Sequence, residues 1–112
     1  MRIVFGEAEM IGPGKAELLE RIERTGSIAA AGREMKMSYK RAWTLIETLN
    51  HMFRDPVVES ARGGPGVGGA QLTATGREVL RLYREFEAEA ERAGLSHVTA
   101  LQSLMKDISR EK

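Results

Sequence analysis

The positive charge of this chain is concentrated in one stretch, residues 33–44, "REMKMSYKRAWT". The stretch has a local charge of +3, from a single carboxylate, Glu34, and four cations: Arg33, Lys36, Lys40 and Arg41. Clustered lysine and arginine bind anions such as phosphate, and arginine also pairs with the acceptors of guanine. Because the whole chain has a net charge of only +1, charge alone favours a plainer interpretation, a solvated helix face.

A run of small residues, "IAAAG" (28–32), directly precedes the cations. Small side chains let two helices approach closely, and Gly32 inside a helix costs roughly 1 kcal/mol relative to alanine, so a packing reason for it is expected. Ser27 and Ser38 stand where the N-caps of two successive helices are expected. The pattern indicates that one short helix packs across a second helix, whose first turn presents the cations to a negatively charged partner.

Catalytic and metal-binding chemistry finds little support in the residue types. The chain has no cysteine, and its two histidines, His51 and His97, lack the spacing of metal ligands and are expected to be partly exposed. The carboxylates at positions 87, 89 and 91 lie on a charged segment and are most simply solvated. No serine–histidine–aspartate arrangement is recognisable. We therefore expect no enzyme, no cofactor and no metal site.

The stretch "GPGVGG" (64–69) matches the letters of the dinucleotide-binding motif G-x-G-x-x-G. That motif requires a helix directly after its glycines, because the helix N-terminus binds the pyrophosphate. Here the strand-like "AQLT" follows instead, and the lysine that ends a phosphate-binding P-loop is missing. The glycines are better explained as a flexible loop that carries Arg62 toward a partner.

Hydrophobic spacing and helix breakers predict the first four elements. Residues 1–11 are rich in β-formers and predict a strand, after which "GPG" precedes a helix that ends at Gly26. A second helix follows Ser27, and a third spans 39–53 before Pro56 ends the helical pattern. These elements would place the cations at the beginning of the third helix.

"VVES" and "QLT" predict a β-hairpin around the glycine-rich segment 61–70. Three helices followed by a hairpin form a winged helix-turn-helix, a mainly α fold with one small β-hairpin. In this fold the third helix enters the major groove of DNA and the hairpin is the wing.

A long helix is predicted after the hairpin. It begins at a capping box formed by Thr75 and Glu78, or alternatively at Thr73, and it ends before Gly94. Residues 95–112 predict a second, short amphipathic helix at the C-terminus.

The residues within these predicted elements resemble a known family. "MSYKRAW", the glycine-rich wing and "LTATGRE", within a similarity that covers roughly residues 1–93, resemble the N-terminal DNA-binding domain of the molybdate-responsive regulator ModE, a relative of the LysR-type winged helix. The resemblance implies a dimeric transcription regulator whose helix after the wing forms much of the dimer contact. The molybdate-sensing domains of the family are expected to be absent, so we expect no small-molecule effector bound by this chain.

This resemblance and the order of the elements together favour DNA contact over a solvated helix face. The residues predicted to contact double-stranded DNA are Ser27, Ser38, Tyr39, Lys40, Arg41, Thr44, Arg62 and Gly64. Arg41 is the candidate for guanine, and Lys40 is the candidate for phosphate. Trp43 could stack on bases, but packing against the hairpin is the favoured interpretation.

A regular apolar seam runs along the long helix, with steps of 4, 3, 4 and 3 residues between Val79, Tyr83, Phe86, Ala90 and Ala93. Such a heptad seam packs either on its own domain or on a partner. Because the segment after Gly94 adds a further apolar row, the total exceeds what a small winged helix covers. A homodimer is therefore favoured, with the first four residues of the seam at its contact.

We accordingly expect residues 1–74 to be the DNA-binding domain and residues 75–112 to be a helical dimerisation segment and tail. No signal peptide or membrane-spanning run is recognised, which predicts a cytoplasmic protein of the bacterial nucleoid. One alternative is a winged-helix module that binds another protein and never DNA, and the near-zero net charge keeps it open. A small oxyanion-binding protein is the third, less favoured interpretation.

Overall fold

A computed structural model describes residues 2–4, 10–62 and 68–106, with the backbone alone at positions 62 and 68. The elements, in chain order, are β1 (Ile3–Val4), β2 (Met10–Ile11), α1 (Pro13–Thr25), α2 (Ile28–Glu34), α3 (Tyr39–Met52), β3 (Val58–Arg62), β4 (Gly68–Leu72) and α4 (Ala74–Ser103). The predicted order of three helices, a hairpin and a long helix is confirmed. No helix among the described residues is long and apolar enough to cross a membrane.

The predicted caps fix where the first three helices begin and end. Gly26 adopts a left-handed conformation (φ 72°) and its N–H donates to the carbonyl of Ile22, which ends α1. The Ser27 hydroxyl accepts from the N–H of Ala30, and the Ser38 hydroxyl accepts from the N–H of Arg41, each at 3.0 Å. These bonds satisfy N–H groups that a helix leaves unpaired in its first turn.

Helix α4 begins at the alternative cap, Thr73, and the predicted capping box is wrong because Thr75 lies inside the helix. The Thr73 hydroxyl accepts from the N–H of Gly76 at 2.9 Å and donates to the carbonyl of Pro56 at 2.6 Å. Its own N–H donates to the carbonyl of Val57. Contacts with a distant segment therefore select the cap, and a local sequence pattern does not contain them.

The predicted break at Gly94 is also wrong. Helix α4 continues through this residue to Ser103, so the separate C-terminal helix is the second half of one 30-residue helix. Glycine weakens a helix by about 1 kcal/mol but ends one only where the chain turns to the left-handed conformation, as at Gly26. The good helix formers on both sides of Gly94 outweigh that cost. Residues 107–112 lie outside the described part.

The N-terminal segment forms two short strands where one strand over residues 1–11 was predicted. Strands β1 and β2 are antiparallel, with Ile3 opposite Ile11 and Val4 opposite Met10. The pairing brings Ile11 into a small second core with Ala16 and Tyr83, so this hairpin packs between α1 and α4.

The main core lies where α1, α2 and α3 meet the β3–β4 hairpin. Its buried members are Leu18, Leu19, Ile22, Ile28, Ala31, Ala42, Ile46, Leu49, Val57, Val58, Ala70 and Leu72. Strands β3 and β4 pair antiparallel with Val58 opposite Leu72, and the N–H of Ala70 donates to the carbonyl of Gly26. The hairpin is therefore fixed at its base both to the core and to the turn between α1 and α2.

The small residues of α2 have the predicted role. A Cβ placed on Gly32 would lie 3.1 Å from the Cβ of Ala42, so α2 crosses α3 at a distance that larger side chains would not allow. The turn between the two helices holds Lys36 in a left-handed conformation (φ 60°), which glycine adopts more readily. Close packing and this turn together set the direction in which α3 leaves the core.

Candidate nucleic-acid interface

Helix α3 buries one side and exposes the other. Ala42, Ile46 and Leu49 are at most 1% exposed and pack into the main core. The exposed positions at helical spacing on the outward face are Lys40, Arg41, Thr44, Glu47, Thr48 and His51. Because Ser38 caps the helix, its cationic first turn has a fixed geometry. His51 is exposed, where the sequence predicted a partly exposed residue.

The cations of this region have no internal counter-charge. Within the described ranges, no ion pair involves Arg33, Lys36, Lys40 or Arg41. The carboxylate within this stretch, Glu34, is held by two arginines of α1, namely by Arg24 and, at 2.9 Å, by Arg21. The hydrogen bond from Arg24 is the main reason why the pKa of Glu34 is lowered. The local charge is therefore available to an outside anion.

Polar side chains farther along α3 bond to their own helix. The hydroxyl of Thr44 donates to the carbonyl of Lys40 at 2.9 Å, and the hydroxyl of Thr48 donates to the carbonyl of Thr44 at 3.0 Å. The Nδ1 of His51 lies 2.8 Å from the carbonyl oxygen of Glu47, which fixes the proton on that nitrogen. The hydroxyl oxygens of the two threonines consequently remain as hydrogen-bond acceptors.

Asn50 connects α3 to the hairpin, and sequence reasoning missed it. Its Oδ1 accepts from the N–H of Val57 at 2.8 Å and from the N–H of Val58 at 3.2 Å. Its Nδ2 donates back to the carbonyl of Val58 at 3.4 Å. These bonds satisfy the backbone that enters β3 and fix the angle between helix and wing. The only sequence signal was a polar residue at the edge of the apolar face of α3.

A groove of about 310 Å³ separates α3 from the hairpin. Two aromatic side chains line it from α3: Tyr39, 58% exposed, and Trp43, 43% exposed. Trp43 therefore lies beside the hairpin, as predicted, but outside the buried core. Its indole is too large for the closely packed side of α3, where Ala42 contacts α2, and it remains accessible to a partner.

The remaining predicted DNA contacts have different surroundings. Ser27 is half-buried and its hydroxyl is bound to its own helix, whereas Ser38 is exposed at the start of α3. The side chain of Arg62 and the whole of Gly64 lie outside the described residues. The structure thus brings together Ser38, Tyr39, Lys40, Arg41 and Thr44 on one exposed surface.

The predicted dimer seam divides between two environments. Tyr83 is only 2% exposed, because its ring packs with Ile11 and Ala16 of its own chain, and half-buried Val79 borders the same cluster. Tyr83 therefore offers little surface to a partner, and its assignment to the dimer contact stays a prediction. Phe86 is 41% exposed, and Ala90 is half-buried beyond that cluster. A heptad spacing cannot distinguish an intramolecular contact from an intermolecular one.

Beyond the body of the domain, the second half of α4 exposes its apolar side chains. The large ones are Leu95, Val98 and Leu101, with Leu104 and Met105 directly after the helix, and all five are between 49% and 82% exposed. In the described part of the chain, no other element covers this half of the helix, because every residue from 95 to 106 is exposed. We call residues 95–105 the distal segment of α4.

Comparison with known proteins places this geometry in a family. Residues 14–77 match the bacterial regulatory helix-turn-helix protein, lysR family. The chain is 43% identical over 79 residues to a molybdenum transport protein ModE from Azotobacter vinelandii, a match that covers 70% of this chain and 29% of that protein. A transcriptional regulator ModE from Haemophilus influenzae is 36% identical over 93 residues, which cover 83% of this chain and 36% of that regulator.

A solved structure shares the fold. The crystal structure of the CbnR_DBD-DNA complex superimposes with a TM-score of 0.62 over 81% of this chain and 99% of that one, at 21% identity. The chain spans about a third of the length of the curated relatives it matches. With a capped third helix, a hairpin and a matching sequence over more than half of its length, this chain belongs to the bacterial regulatory helix-turn-helix family of the LysR type.

Proposed function

We propose that this chain binds duplex DNA in a sequence-specific manner and forms the DNA-binding unit of a transcription regulator. The observation that carries the proposal is the first turn of α3, where exposed Lys40 and Arg41 have no ion pair within the described chain. A cluster of unpaired cations at one helix end favours a polyanion, because binding releases its condensed counterions. The family and the wing beside this helix support the same partner.

Within this proposal, each side chain of α3 contacts the part of the DNA that suits its chemistry. Arg41 donates to guanine O6 and N7, because its planar guanidinium fits two parallel acceptors. Lys40 contacts phosphate as a flexible point charge. The exposed faces of Tyr39 and Trp43 line the side of the groove toward the wing and contact the sugar–phosphate backbone there. Arg62, at the end of β3, is the candidate contact of the wing.

We further propose that the chain acts as a homodimer through the distal segment of α4. Val98 and Leu101 of this segment continue the row of Ala90 and Gly94 at steps of 4, 4 and 3 residues, so these four residues lie along one side of the helix. A second copy offers the same apolar side, and a two-fold contact would cover both. Residues 1–74 would then be the DNA-binding part and residues 75–112 the dimerising part, working in the cytoplasm.

Two-fold symmetry has a consequence for the DNA. Each copy would place one α3 in the major groove, so the bound sequence would be roughly palindromic, with half-sites about one helical turn apart or a multiple of it. A regulator that bound as a monomer would show no such repeat.

The relatives' names link them to molybdenum, but we propose no molybdate site within this chain. A dianion sensor replaces hydration with several well-placed donors, and the free cations at the start of α3 are here assigned to DNA. We expect isothermal calorimetry to show no molybdate-specific binding, with sulfate as the matched dianion. We also expect DNA affinity to be the same with either ion at equal ionic strength. Stoichiometric micromolar binding of molybdate alone would contradict this part of the proposal.

The experiment for the main proposal is selection of duplexes with a randomised core, followed by fluorescence anisotropy at several salt concentrations. We expect one enriched palindromic sequence, bound more tightly than unselected DNA and with a steep salt dependence. A protein-interaction module would give no enriched sequence and weak binding to every duplex alike. That result would refute the proposal and favour the alternative.

A further inference from the structure

Helix α3 carries a carboxylate on the face that we propose binds DNA, although DNA phosphates repel a negative charge. Glu47 is exposed and lies on the outward face, about one helical turn beyond Thr44. Its carboxylate has neither an ion pair nor a hydrogen bond with any residue in the ranges 2–4, 10–62 and 68–106. An uncompensated negative charge therefore faces the same side as Lys40.

In a major groove this carboxylate costs affinity unless a donor meets it. Phosphates surround it with like charge, and guanine and thymine offer it only acceptors or a methyl group. The amino group of cytosine is a donor without a neighbouring acceptor, whereas adenine places its acceptor N7 beside its amino group. Of the four bases, cytosine is thus the one whose edge fully suits an unpaired carboxylate.

No described neighbour of Glu47 donates a hydrogen bond to its carboxylate. The hydroxyl hydrogens of Thr44 and Thr48 and the Nδ1 of His51 are engaged with carbonyls of the helix itself. The face of α3 therefore has donors at its first turn, from Lys40 and Arg41, and acceptors along its middle. This polarity matches a DNA edge with acceptors at one end and an amino group farther along.

We propose that Glu47 is a specificity-determining residue, which accepts a hydrogen bond from the amino group of one cytosine in each half-site. The inference rests on the proposed DNA binding by α3. Its contribution is discrimination more than affinity, because the carboxylate repels every sequence that lacks the amino group at this place. Good base contacts discriminate by about 5- to 150-fold against the wrong base, the equivalent of roughly 1–3 kcal/mol.

The test uses the full chain and the duplex selected by the wild type, together with all single base-pair changes of that duplex. Binding of each duplex is measured for the wild type, Glu47→Ala and Glu47→Gln. The matched control is Glu89→Gln, which removes the same charge from an exposed position of α4. Circular dichroism confirms that each variant is folded.

We expect the wild type to require cytosine at one position of each half-site by about 5- to 150-fold. In Glu47→Ala this requirement falls to a few-fold, while the preferences at the other positions remain and the affinity for unselected DNA rises. Glu47→Gln weakens the requirement as well, because its neutral amide no longer repels the other bases and can also pair with adenine, and Glu89→Gln changes nothing. Because Gln keeps the size of the side chain, it decides the question if the alanine variant does not fold.

Two results would overturn the inference. One is an unchanged base preference at every position in both Glu47 variants, with affinity raised equally for all duplexes, which would identify Glu47 as a solvated charge. The other is a requirement for a base other than cytosine at the position that Glu47 controls. Either result leaves the proposed function intact, since the wild type still selects a sequence. A wild type that binds no duplex would refute both.

Discussion

Helices α3 and α4 are fixed to the same point of the fold but present opposite chemistry. Asn50 of α3 binds the N–H of Val57, while Thr73, which caps α4, binds the carbonyl of that residue. From this common anchor α3 turns a polar, cationic face outward, and the distal segment of α4 turns an apolar one outward. The cationic face of α3 suits a polyanion, and the apolar face of the distal segment suits a second apolar surface.

The two helices also differ in whether their arginines form ion pairs. In the first half of α4, Arg81 pairs with Glu78 and Glu85, and Arg84 pairs with Glu20 and Glu87. In α3 and the turn before it, no described cation is paired. A net charge of +1 therefore hides an uneven distribution: carboxylates neutralise Arg81 and Arg84 of α4, whereas the cations at the start of α3 remain free.

The largest effect on stability is expected at the beginning of α4, where Gly76 lies against the backbone of Val57. A Cβ on Gly76 would lie 2.0 Å from the carbonyl oxygen of Val57, which is backbone and cannot move aside cheaply. Gly76→Ala should therefore reduce the free energy of unfolding by at least about 4 kcal/mol or prevent folding, as measured by urea denaturation.

Gly14→Ala is the control, because nothing lies within 4 Å of the added Cβ and the residue is inside helix α1, outside the proposed dimer contact. It should raise the free energy of unfolding by about 0.5–1 kcal/mol. If both substitutions had the same small effect, the close approach of α4 to Val57 would not hold the fold together.

The next largest effect concerns the apolar partner of α4. Val98→Glu together with Leu101→Glu places two charges on the side proposed to meet a second copy. Burying such charges is costly, so the dimer dissociation constant should rise about 100-fold or more, roughly 3 kcal/mol, as measured by sedimentation.

The control for this charge change is Ala100→Glu, which adds a carboxylate on the opposite side of the same helix turn. It should leave the dimer nearly as stable as in the wild type. A wild type that sediments as a monomer at micromolar concentration, or a double variant that still dimerises normally, would contradict a dimer through the distal segment.

The smallest effect is expected for Glu34, the carboxylate that pairs with two arginines of α1. The pKa of Glu34 is lowered from its ordinary value, mainly by the hydrogen bond from Arg24. A lowered pKa in the folded state stabilises the fold above the ordinary value, and this contribution is lost as the pH falls through the lowered one. The wild type should thus lose more stability than Glu34→Gln between pH 6 and pH 3, with urea denaturation as the measurement.

Glu89→Gln serves as the comparison for Glu34→Gln, because Glu89 is exposed and forms no ion pair with the described residues. Its acid profile should follow that of the wild type. Identical profiles for the wild type and Glu34→Gln would show that the arginines of α1 do not hold this carboxylate in solution.

Local chemistry made much of the fold predictable from the sequence. Three helix caps, at Gly26, Ser27 and Ser38, depend on hydrogen bonds to residues no more than four positions away. The spacing of apolar residues in α3 indicates which side of the helix is buried. Gly32 was informative because a helix tolerates glycine at a cost that close packing can offset. The cationic first turn of α3 was predicted from the same local signals.

The features that were missed depend on distant residues. The selection of Thr73 over Thr75 rests on Pro56 and Val57, which are 16 or more residues away from the cap. Tyr83 has the spacing of a dimer seam, but the N-terminal hairpin covers it within the chain. Asn50 looked like one polar residue among many, because its partners are backbone groups that have no sequence signature.

The central claim is that the unpaired cations at the start of α3 bind DNA, and the salt dependence of DNA affinity tests it most directly. For the selected duplex, Lys40→Ala should reduce the slope of log affinity against log salt by about one and weaken all duplexes alike. Arg41→Ala should cost about 1–3 kcal/mol on the selected duplex, with relaxed preference at one base pair. Lys106→Ala, which removes an exposed cation beyond α4, should change neither quantity. A folded Lys40→Ala, Arg41→Ala double variant with wild-type affinity and slope would contradict the account.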